Sequence, residues 1–462
     1  MRIAIIGGGP GGYVAAIRAA QLNAEVTLIE KERLGGTCLN KGCIPTKVML
    51  HTTREFENAN KNFEDYGIKI TGAELDWKQL QKRKTKIVRK LVAGVDGLLK
   101  SNKVTKIIGE GSFINKNQIK VKLADDSHQT VDFDYAIIAS GSEPSITPIP
   151  GVELPGVITS DELLKLKEVP KSMIIIGGGV IGSEFAAIYS AAACKVTIVE
   201  MLPNIVANMD PDIVAPLKDK LLKSGTEIYT DTQVLYISES SEGLTVNTLS
   251  QGQEKSFTAE KVLLSIGRKP VIENLSLENV GVKTNKGAVL VDKSMQTNIP
   301  NIYAIGDSIG GLMLAHAASA EGIVAVESIM NKKPNIDFKT IPYCVYTNPE
   351  LAGVGLTETQ AREKGYSVKT GVFPIYISGK AMIESKSEGL VKYVVDGVTG
   401  EVLGLHMSGP NATELIAEGA LALRLEATID EITSTIHAHP TVAESLHEAA
   451  HAVYGKAIHI PN

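Results

Sequence analysis

The chain contains one structural unit twice, and this repetition limits its fold more than any other feature. Residues 3–30, IAIIGGGPGGYVAAIRAAQLNAEVTLIE, align without a gap to residues 173–200, MIIIGGGVIGSEFAAIYSAAACKVTIVE, at an offset of 170. Each copy runs from a β-branched apolar stretch through G-x-G-x-x-G into an alanine-rich helical stretch, a second apolar strand and a terminal glutamate. The glycines are Gly7, Gly9 and Gly12 in the first copy and Gly177, Gly179 and Gly182 in the second. In such a unit the first glycine permits a tight turn, the second lets the backbone approach a pyrophosphate, and the third lets the helix pack closely on the sheet. Unpaired N–H groups at the helix start hold the anion. Glu30 and Glu200, each 18 positions beyond the third glycine, are placed to accept hydrogen bonds from a ribose diol. One such motif alone could be a glycine-rich helix cap. Two in register, both ending in glutamate, point to two dinucleotide sites, and the charge of Glu200 favours NAD over NADP.

A further echo extends the duplication. IIASGSEP at 137–144 resembles LLSIGRKP at 263–270, at an offset of 126, so the first half carries 44 more residues between its fingerprint and its closing strand. At 462 residues the chain is long enough for two to four domains. Its 44% hydrophobic share, 21% charged residues and 43 glycines suit a globular protein rather than a disordered one. A net charge of −5 gives no footprint for nucleic acid. The local basic run QKRKTKIVRK, residues 81–90, reads as the wet face of an amphipathic helix whose apolar positions are Trp77, Leu80, Ile87, Leu91, Val95 and Leu98. Met1 runs almost directly into a strand, and the apolar stretch 173–202 is interrupted by glycines and glutamates. The expectation is therefore a cytoplasmic protein without a membrane span.

Four cysteines are too few for a secreted disulfide framework. Two of them, Cys38 and Cys43, lie five positions apart in GGTCLNKGCIPTK, residues 35–47. In a regular helix residues at that spacing have Cα atoms roughly 8–9 Å apart, beyond the roughly 7 Å that a disulfide tolerates. A bridge would need a distorted segment. Gly42 permits one, while Pro45 is comfortable only near a helix start and disfavours helix at Ile44. A helix beginning nearby would also lower a thiolate pKa. A zinc site would need two further ligands, and a pair of buried structural cysteines remains open at this point. Cys194 aligns with Ala24 of the first copy, and Cys344 is solitary.

Thiol–disulfide exchange needs a proton acceptor that works near neutral pH, which suits histidine. His437 and His439 are the candidates. His439 precedes Pro440, and VAESLHEAAHAVY reads as a helix with Val442, Leu446, Ala449 and Val453 on one face, which leaves Glu444 able to orient the His439 ring. HEAAH at 447–451 fits the H-E-x-x-H zinc pattern. It is read as a chance match in a histidine-rich tail.

GGTCLNKGCIPTK is very similar to the G-G-T-C-x-N-x-G-C-x-P-x-K segment of the class I pyridine nucleotide-disulfide oxidoreductases, flavoproteins of the glutathione reductase and dihydrolipoamide dehydrogenase group. TNIPNIYAIGD, residues 297–307, resembles the second flavin motif of that family, and HAHPTVAE, residues 437–444, resembles its H-P-T segment. The resemblance implies an α/β fold with two Rossmann-like FAD/NAD(P)-binding domains and a C-terminal α+β dimerisation domain. The implied division is an FAD-binding domain with the dithiol at 1–145, an NAD-binding domain at 146–270, a central domain completing the FAD site at 271–340 and an interface domain at 341–462.

It implies FAD at Gly7, Gly9, Gly12, Glu30, Gly36, Thr37, Lys47, Ser140, Gly141, Asp307 and Ala315, and NAD at Gly177, Gly179, Gly182, Glu184, Glu200 and Gly267, with no metal. Cys43 would be the flavin-side thiol and Cys38 the substrate-side thiol. His439 would be the base with Glu444 as its carboxylate partner, and Lys47 would pair with Glu184 beside the nicotinamide. The implied reaction is dihydrolipoamide plus NAD to lipoamide plus NADH. The implied assembly is a homodimer in which His439 serves the other subunit's disulfide. Its partners would be a lipoyl-bearing acyltransferase or a glycine-cleavage carrier protein. Lys41 between the cysteines, and FPIYISGKA at 373–381 in place of an N-x-R-A-like pattern, leave room for an NADH-dependent reductase of another small disulfide. A reading of another class is a non-catalytic flavin-bound redox sensor or scaffold subunit.

Overall fold

Each repeated unit folds as strand, helix and parallel strand. In the computed structural model, which describes residues 1–61, 63 and 66–461, Arg2–Ile6 and Glu25–Glu30 pair in parallel around the helix Pro10–Gln21. Ser172–Ile176 and Lys195–Val199 do the same around Val180–Ala191. Their strands are near-continuous apolar runs because helices and further strands cover both faces, as parallel sheets require. The first sheet has the order Thr105–Ile108, Glu25–Glu30, Arg2–Ile6, Tyr135–Ile138, Ile302–Ala304. The second runs Glu227–Tyr229, Lys195–Val199, Ser172–Ile176, Lys261–Leu264, Val157–Thr159. The two sheets differ at one edge. In the first, the last strand comes from far downstream in the chain; in the second, it comes from just before the glycine turn. The segment that supplies Ile302–Ala304 also supplies the helix Ala315–Ile329, which packs against Pro10–Gln21 so closely that a Cβ on Gly322 would lie 2.7 Å from the Gly11 carbonyl oxygen.

The 44-residue excess has a definite location. Seventy-five positions separate Glu30 from the strand start at Thr105, against 27 between Glu200 and Glu227, an excess of 48 that a second half longer by 4 beyond that strand reduces to 44. That interval holds the helices Gly36–Lys41, Cys43–Lys61 and Trp77–Ser101, where the second unit holds Pro211–Lys223. Beyond it the two halves agree again, each with a three-stranded antiparallel meander before its closing strand. The echo segments then pair with each other, Ser142–Pro144 antiparallel to Arg268–Pro270. This places the Arg268 Nε 2.8 Å from the Ser142 Oγ.

The helix Trp77–Ser101 departs from the expected amphipathic pattern. Leu91 and Leu98 are 40% and 52% exposed, whereas Lys84 is buried. The inward face keeps Trp77, Leu80 and Val95 but also carries donors: Trp77 Nε1 and Gln81 Nε2 reach the Leu166 carbonyl, and Lys84 Nζ reaches that of Leu164. Those carbonyls follow the short helix Ser160–Leu163 of the second unit, so a polar ladder joins the inserted helix to it. Burial and the nearby Lys165 ammonium push the Lys84 pKa down to about 8.

The C-terminal unit is α+β. Its antiparallel sheet has the order Tyr343–Val345, Glu350–Gly355, Val402–Gly409, Leu390–Asp396, Val368–Pro374, with the helices Ala412–Arg424 and Glu444–Ala452 packed on it. The buried Lys392 reaches back into the second unit. Its Nζ lies 2.6 Å from Asp212 and 3.3 Å from Asp210 at the start of the helix Pro211–Lys223, and 3.0 Å from Glu358. Asp210 is 1% exposed, so Lys392→Met would strand its charge. The variant should lose about 3–5 kcal/mol, seen as a lower denaturant midpoint; an unchanged midpoint would mean that water already compensates the carboxylates. Among the described residues no helix is long and apolar enough to cross a membrane.

Candidate active site

The two glycine turns open onto one cavity of about 2090 Å³, larger than the roughly 300–1,000 Å³ of an ordinary small-ligand pocket. At both turns the first and third glycines are required by packing. Gly7, at φ +109°, and Gly12 would place a Cβ 2.1 Å from the Ala139 oxygen and 1.8 Å from the Gly7 oxygen. In the second copy Gly177, at φ +100°, and Gly182 would meet the Ser265 and Gly177 oxygens at 2.6 and 2.0 Å. Ala139 and Ser265 belong to the echo segments, so those segments are what the first glycine packs against. The second glycines face space: Gly179 has no heavy atom within 4 Å of such a Cβ, and Gly9 has only the Gly36 Cα at 3.8 Å. Neither following helix has a side-chain cap at Gly9 or Gly179, which leaves its first N–H groups free for an anion.

The glutamates are held alike. Glu30 accepts from the N–H groups of Gly8 and Glu32, both at 2.7 Å, and Glu200 from those of Gly178 at 2.6 Å and Leu202 at 2.8 Å. Every residue that the sequence nominated lines the cavity except Gly12, Gly182, His437, His439 and Glu444. Gly12 and Gly182 lie behind the wall as packing residues.

The inserted helices bring the cysteines to the same wall. The helix Gly36–Lys41 ends, Gly42 breaks the backbone, and the next helix begins on Cys43 itself. Ile44 is helical, contrary to the expectation from Pro45, because Pro45 stands in the first turn, where its missing N–H has no intrahelical partner to lose. Both cysteines are free thiols. The Cys38 thiol donates to Cys43 and pulls the Cys43 pKa down to about 7 against the effect of burial, with the Lys47 ammonium assisting; that same bond and burial push Cys38 far up. Lys47 Nζ lies 2.9 and 2.8 Å from the two carboxylate oxygens of the buried Glu184. Lys41 is turned to other work, with its Nζ 2.6 Å from Glu32 and 3.8 Å from Asp161.

His439 lies outside the cavity wall. Its ring is 79% exposed, and its Nδ1 is 2.8 Å from Glu444 Oε1. Burial alone would raise the Glu444 carboxyl, but the Thr441 N–H and the His439 ring outweigh it and hold it below its ordinary value. His437 is occupied by the Thr435 carbonyl and Glu418, both at 3.0 Å. In HEAAH, His447 bonds the Thr433 carbonyl, and Glu448 accepts from His459 and the Ile458 N–H.

Residues 1–322 match the family model described as pyridine nucleotide-disulphide oxidoreductase, and residues 341–450 match the dimerisation domain of the same family. The chain belongs to the pyridine nucleotide-disulphide oxidoreductases. Among relatives within this family, a dihydrolipoyl dehydrogenase of Bacillus subtilis is 42% identical over 99% of this chain and 98% of its own length. A mitochondrial dihydrolipoyl dehydrogenase of Arabidopsis thaliana is 41% identical over 99% of this chain and 91% of its own. The solved structure of LpdA from Mycobacterium tuberculosis superimposes with a TM-score of 0.90 at 27% identity, covering 97% of this chain and 99% of that one.

Members of this family use FAD and NAD(H), and the residues present fit both. The cavity has volume for more than one ligand, two uncapped helix starts and two ribose-type carboxylates. Three buried side-chain atoms without a hydrogen-bond partner also belong to residues on its wall: Asn40 Oδ1, Ser140 Oγ and Asp161 Oδ1. Such atoms are costly to bury unless a ligand or water pairs them.

Three neighbours of the site were not foreseen from the residues. Arg268 bonds Ser142, which in turn bonds Asp307, and so links the second unit to the motif at 297–307. The pairing of the two echo segments was the available signal. Cys344, expected to be solitary, lines the same cavity as the dithiol, with its pKa pushed up to about 11 by burial. Tyr346 stands over Lys47, and no local pattern in CVYTNPE announces it.

Proposed function

We propose that this chain is a homodimeric flavoenzyme that oxidises dihydrolipoamide to lipoamide and reduces NAD to NADH, using Cys38, Cys43, Lys47, Glu184, His439 and Glu444. The observation that carries the reading is a cysteine pair, poised by Lys47 and a helix start, on the wall of one cavity shared with two dinucleotide turns. The first turn, with Glu30, Gly36, Thr37, Ser140, Gly141, Asp307 and Ala315, holds FAD; the second, with Glu184, Glu200 and Gly267, holds NAD. The units 1–145, 146–270, 271–340 and 341–462 are assigned as the FAD, NAD, central and interface domains. When bound, FAD supplies the two-electron path from the reduced thiols to NAD.

In the oxidised form Cys38 and Cys43 share a disulfide. The base His439, oriented by Glu444, takes a proton from a substrate thiol. The resulting thiolate attacks the Cys38 sulfur, the Cys38–Cys43 bond breaks, and Cys43 leaves as a thiolate that Lys47 and the helix start stabilise. The second substrate thiol attacks the substrate sulfur bonded to Cys38, the bond to Cys38 breaks, and the proton of that thiol passes to the departing Cys38 sulfur. The cyclic disulfide product departs, Cys38 is left as a thiol, and His439 releases the first proton to solvent. His439 acts on the cavity of the other subunit across the dimer, a reading that its exposure and its position off its own chain's cavity wall support. The lipoyl group would arrive on an acyltransferase or a glycine-cleavage carrier protein, in the cytoplasm.

A second reading is an NADH-dependent reductase of another disulfide. The departure at FPIYISGKA favours it, since Tyr376 is 61% exposed and no residue of that segment lines the chain's own cavity. Lys41 argues less for it, being committed to Glu32 and Asp161. Comparing NAD-linked oxidation of dihydrolipoamide with NAD(P)H-linked reduction of glutathione, coenzyme A and lipoamide disulfides decides between the two. The first reading requires dihydrolipoamide with NAD to be fastest.

For the nucleotide, Glu200→Gln should lower the kcat/KM ratio of NAD over NADP by roughly tenfold or more, because one like-charge contact is worth one to several kcal/mol. An unaltered ratio would remove Glu200 from the discrimination.

A further inference from the structure

Three units of the chain meet at one ion pair. Lys47 comes from the inserted helix Cys43–Lys61, and Glu184 from the helix Val180–Ala191 that follows the second glycine turn. Tyr346 follows the strand Tyr343–Val345 at the edge of the C-terminal sheet. The Tyr346 N–H donates to Glu184 Oε1 at 3.0 Å, the same oxygen that Lys47 Nζ approaches at 2.9 Å. The Lys47 ammonium stands 4.6 Å from the Tyr346 ring centroid, within the roughly 6 Å over which an aromatic face attracts a cation. Lys47 is thus bracketed by a carboxylate and a ring face. The bracket fixes where its charge acts on Cys43.

We propose that Tyr346 is a positioning residue for the thiol chemistry: its N–H sets the Glu184 carboxylate and its ring caps the Lys47 ammonium, so that the C-terminal unit fixes the cation that stabilises the Cys43 thiolate. The inference rests on the proposed role of Cys43 as the flavin-side thiol. Removing the ring leaves the ammonium free to turn toward water, and the thiolate loses part of its stabilisation. The other groups facing this site are Cys38 and Glu184 at Cys43, Asp307 and Tyr13 at Cys38, and Cys344, with Glu350 and Glu414 near it, beside Tyr346. The Tyr346 hydroxyl interacts with the Cys344 thiol. Tyr346→Phe therefore separates the ring from the hydroxyl.

The test titrates Cys43 in the reduced, FAD-loaded enzyme and its Tyr346→Leu and Tyr346→Phe variants. Alkylation by iodoacetamide is followed by tryptic peptide mass spectrometry; cleavage after Lys41 puts Cys38 and Cys43 in separate peptides. The long-wavelength absorbance of a thiolate beside FAD gives a second midpoint. Tyr346→Leu should raise the Cys43 midpoint by about 0.5–1 pH unit, while Tyr346→Phe stays with the parent. If Tyr346→Leu fails to fold, Tyr346→Met takes its place. A midpoint unmoved or lowered by loss of the ring, or moved equally by Tyr346→Phe, overturns the role of Tyr346 alone. A parent enzyme lacking both the absorbance and a titrating Cys43 overturns the proposed function, and this inference with it.

Discussion

Cys43→Ser should retain bound FAD and lose NAD-linked oxidation of dihydrolipoamide by about 10⁴-fold or more, the scale seen when an enzyme's attacking or leaving group is deleted. Serine cannot form the disulfide that the substrate must break, so Cys38 alone has no two-electron state to offer. Folding should survive, because Cys43 begins a helix whose first turn serine tolerates well. Cys344→Ser is the control: it removes a thiol from the same cavity wall but leaves the Cys38–Cys43 couple intact, and its turnover should stay near the parent's. If Cys43→Ser oxidised the substrate at the parental rate, the thiol pair would not be on the electron path. A flavin-bound sensor or scaffold would then be the better description.

His439→Gln should slow the same reaction by roughly 10²- to 10⁴-fold, the usual contribution of a placed general base. The sharper result comes from mixing. Exchange of subunits between Cys43→Ser and His439→Gln dimers yields hybrids in which one site combines an intact dithiol with an intact histidine from the neighbouring chain, while the other site lacks both. Random exchange in a twofold dimer should restore about a quarter of parental activity. The exposure of His439 and its distance from its own cavity wall motivate the expectation. Were His439 to serve its own chain, no hybrid would contain a complete site, and mixing would restore nothing.

Features generated by short-range rules were legible in the residues. The repeated G-x-G-x-x-G turns, the closing segments at 139–141 and 265–267, and the His439–Glu444 pair depend on chain neighbours or on an internal copy available for comparison. The cysteine spacing also foretold a break in the helix, and Gly42 makes it. What stayed hidden arises between units. Lys84 looked like a solvated charge because its eighty-residue-distant acceptor, the Leu164 carbonyl, leaves no mark on a helical wheel. Trp77, Leu80 and Val95 are buried as the apolar spacing suggested, but Leu91 and Leu98 are not, and Lys84 and Leu99 complete the packed face. Tyr346 and Cys344 gain their meaning only when the edge strand of the C-terminal sheet reaches Lys47 and Glu184.

The edge strand Ile302–Ala304 also governs the order in which the molecule can be finished. Its partner Tyr135–Ile138 leaves the ribosome more than 160 residues earlier, and between them lie all five strands of the second sheet, from Val157 to Leu264. The nucleotide unit in the middle of the chain can close on itself as soon as it emerges. The unit that begins the chain cannot: its sheet keeps an open apolar edge until the later segment returns to cover it, a long-range closure that delays folding. The unit that begins the chain, although first in the sequence, is therefore the later to mature.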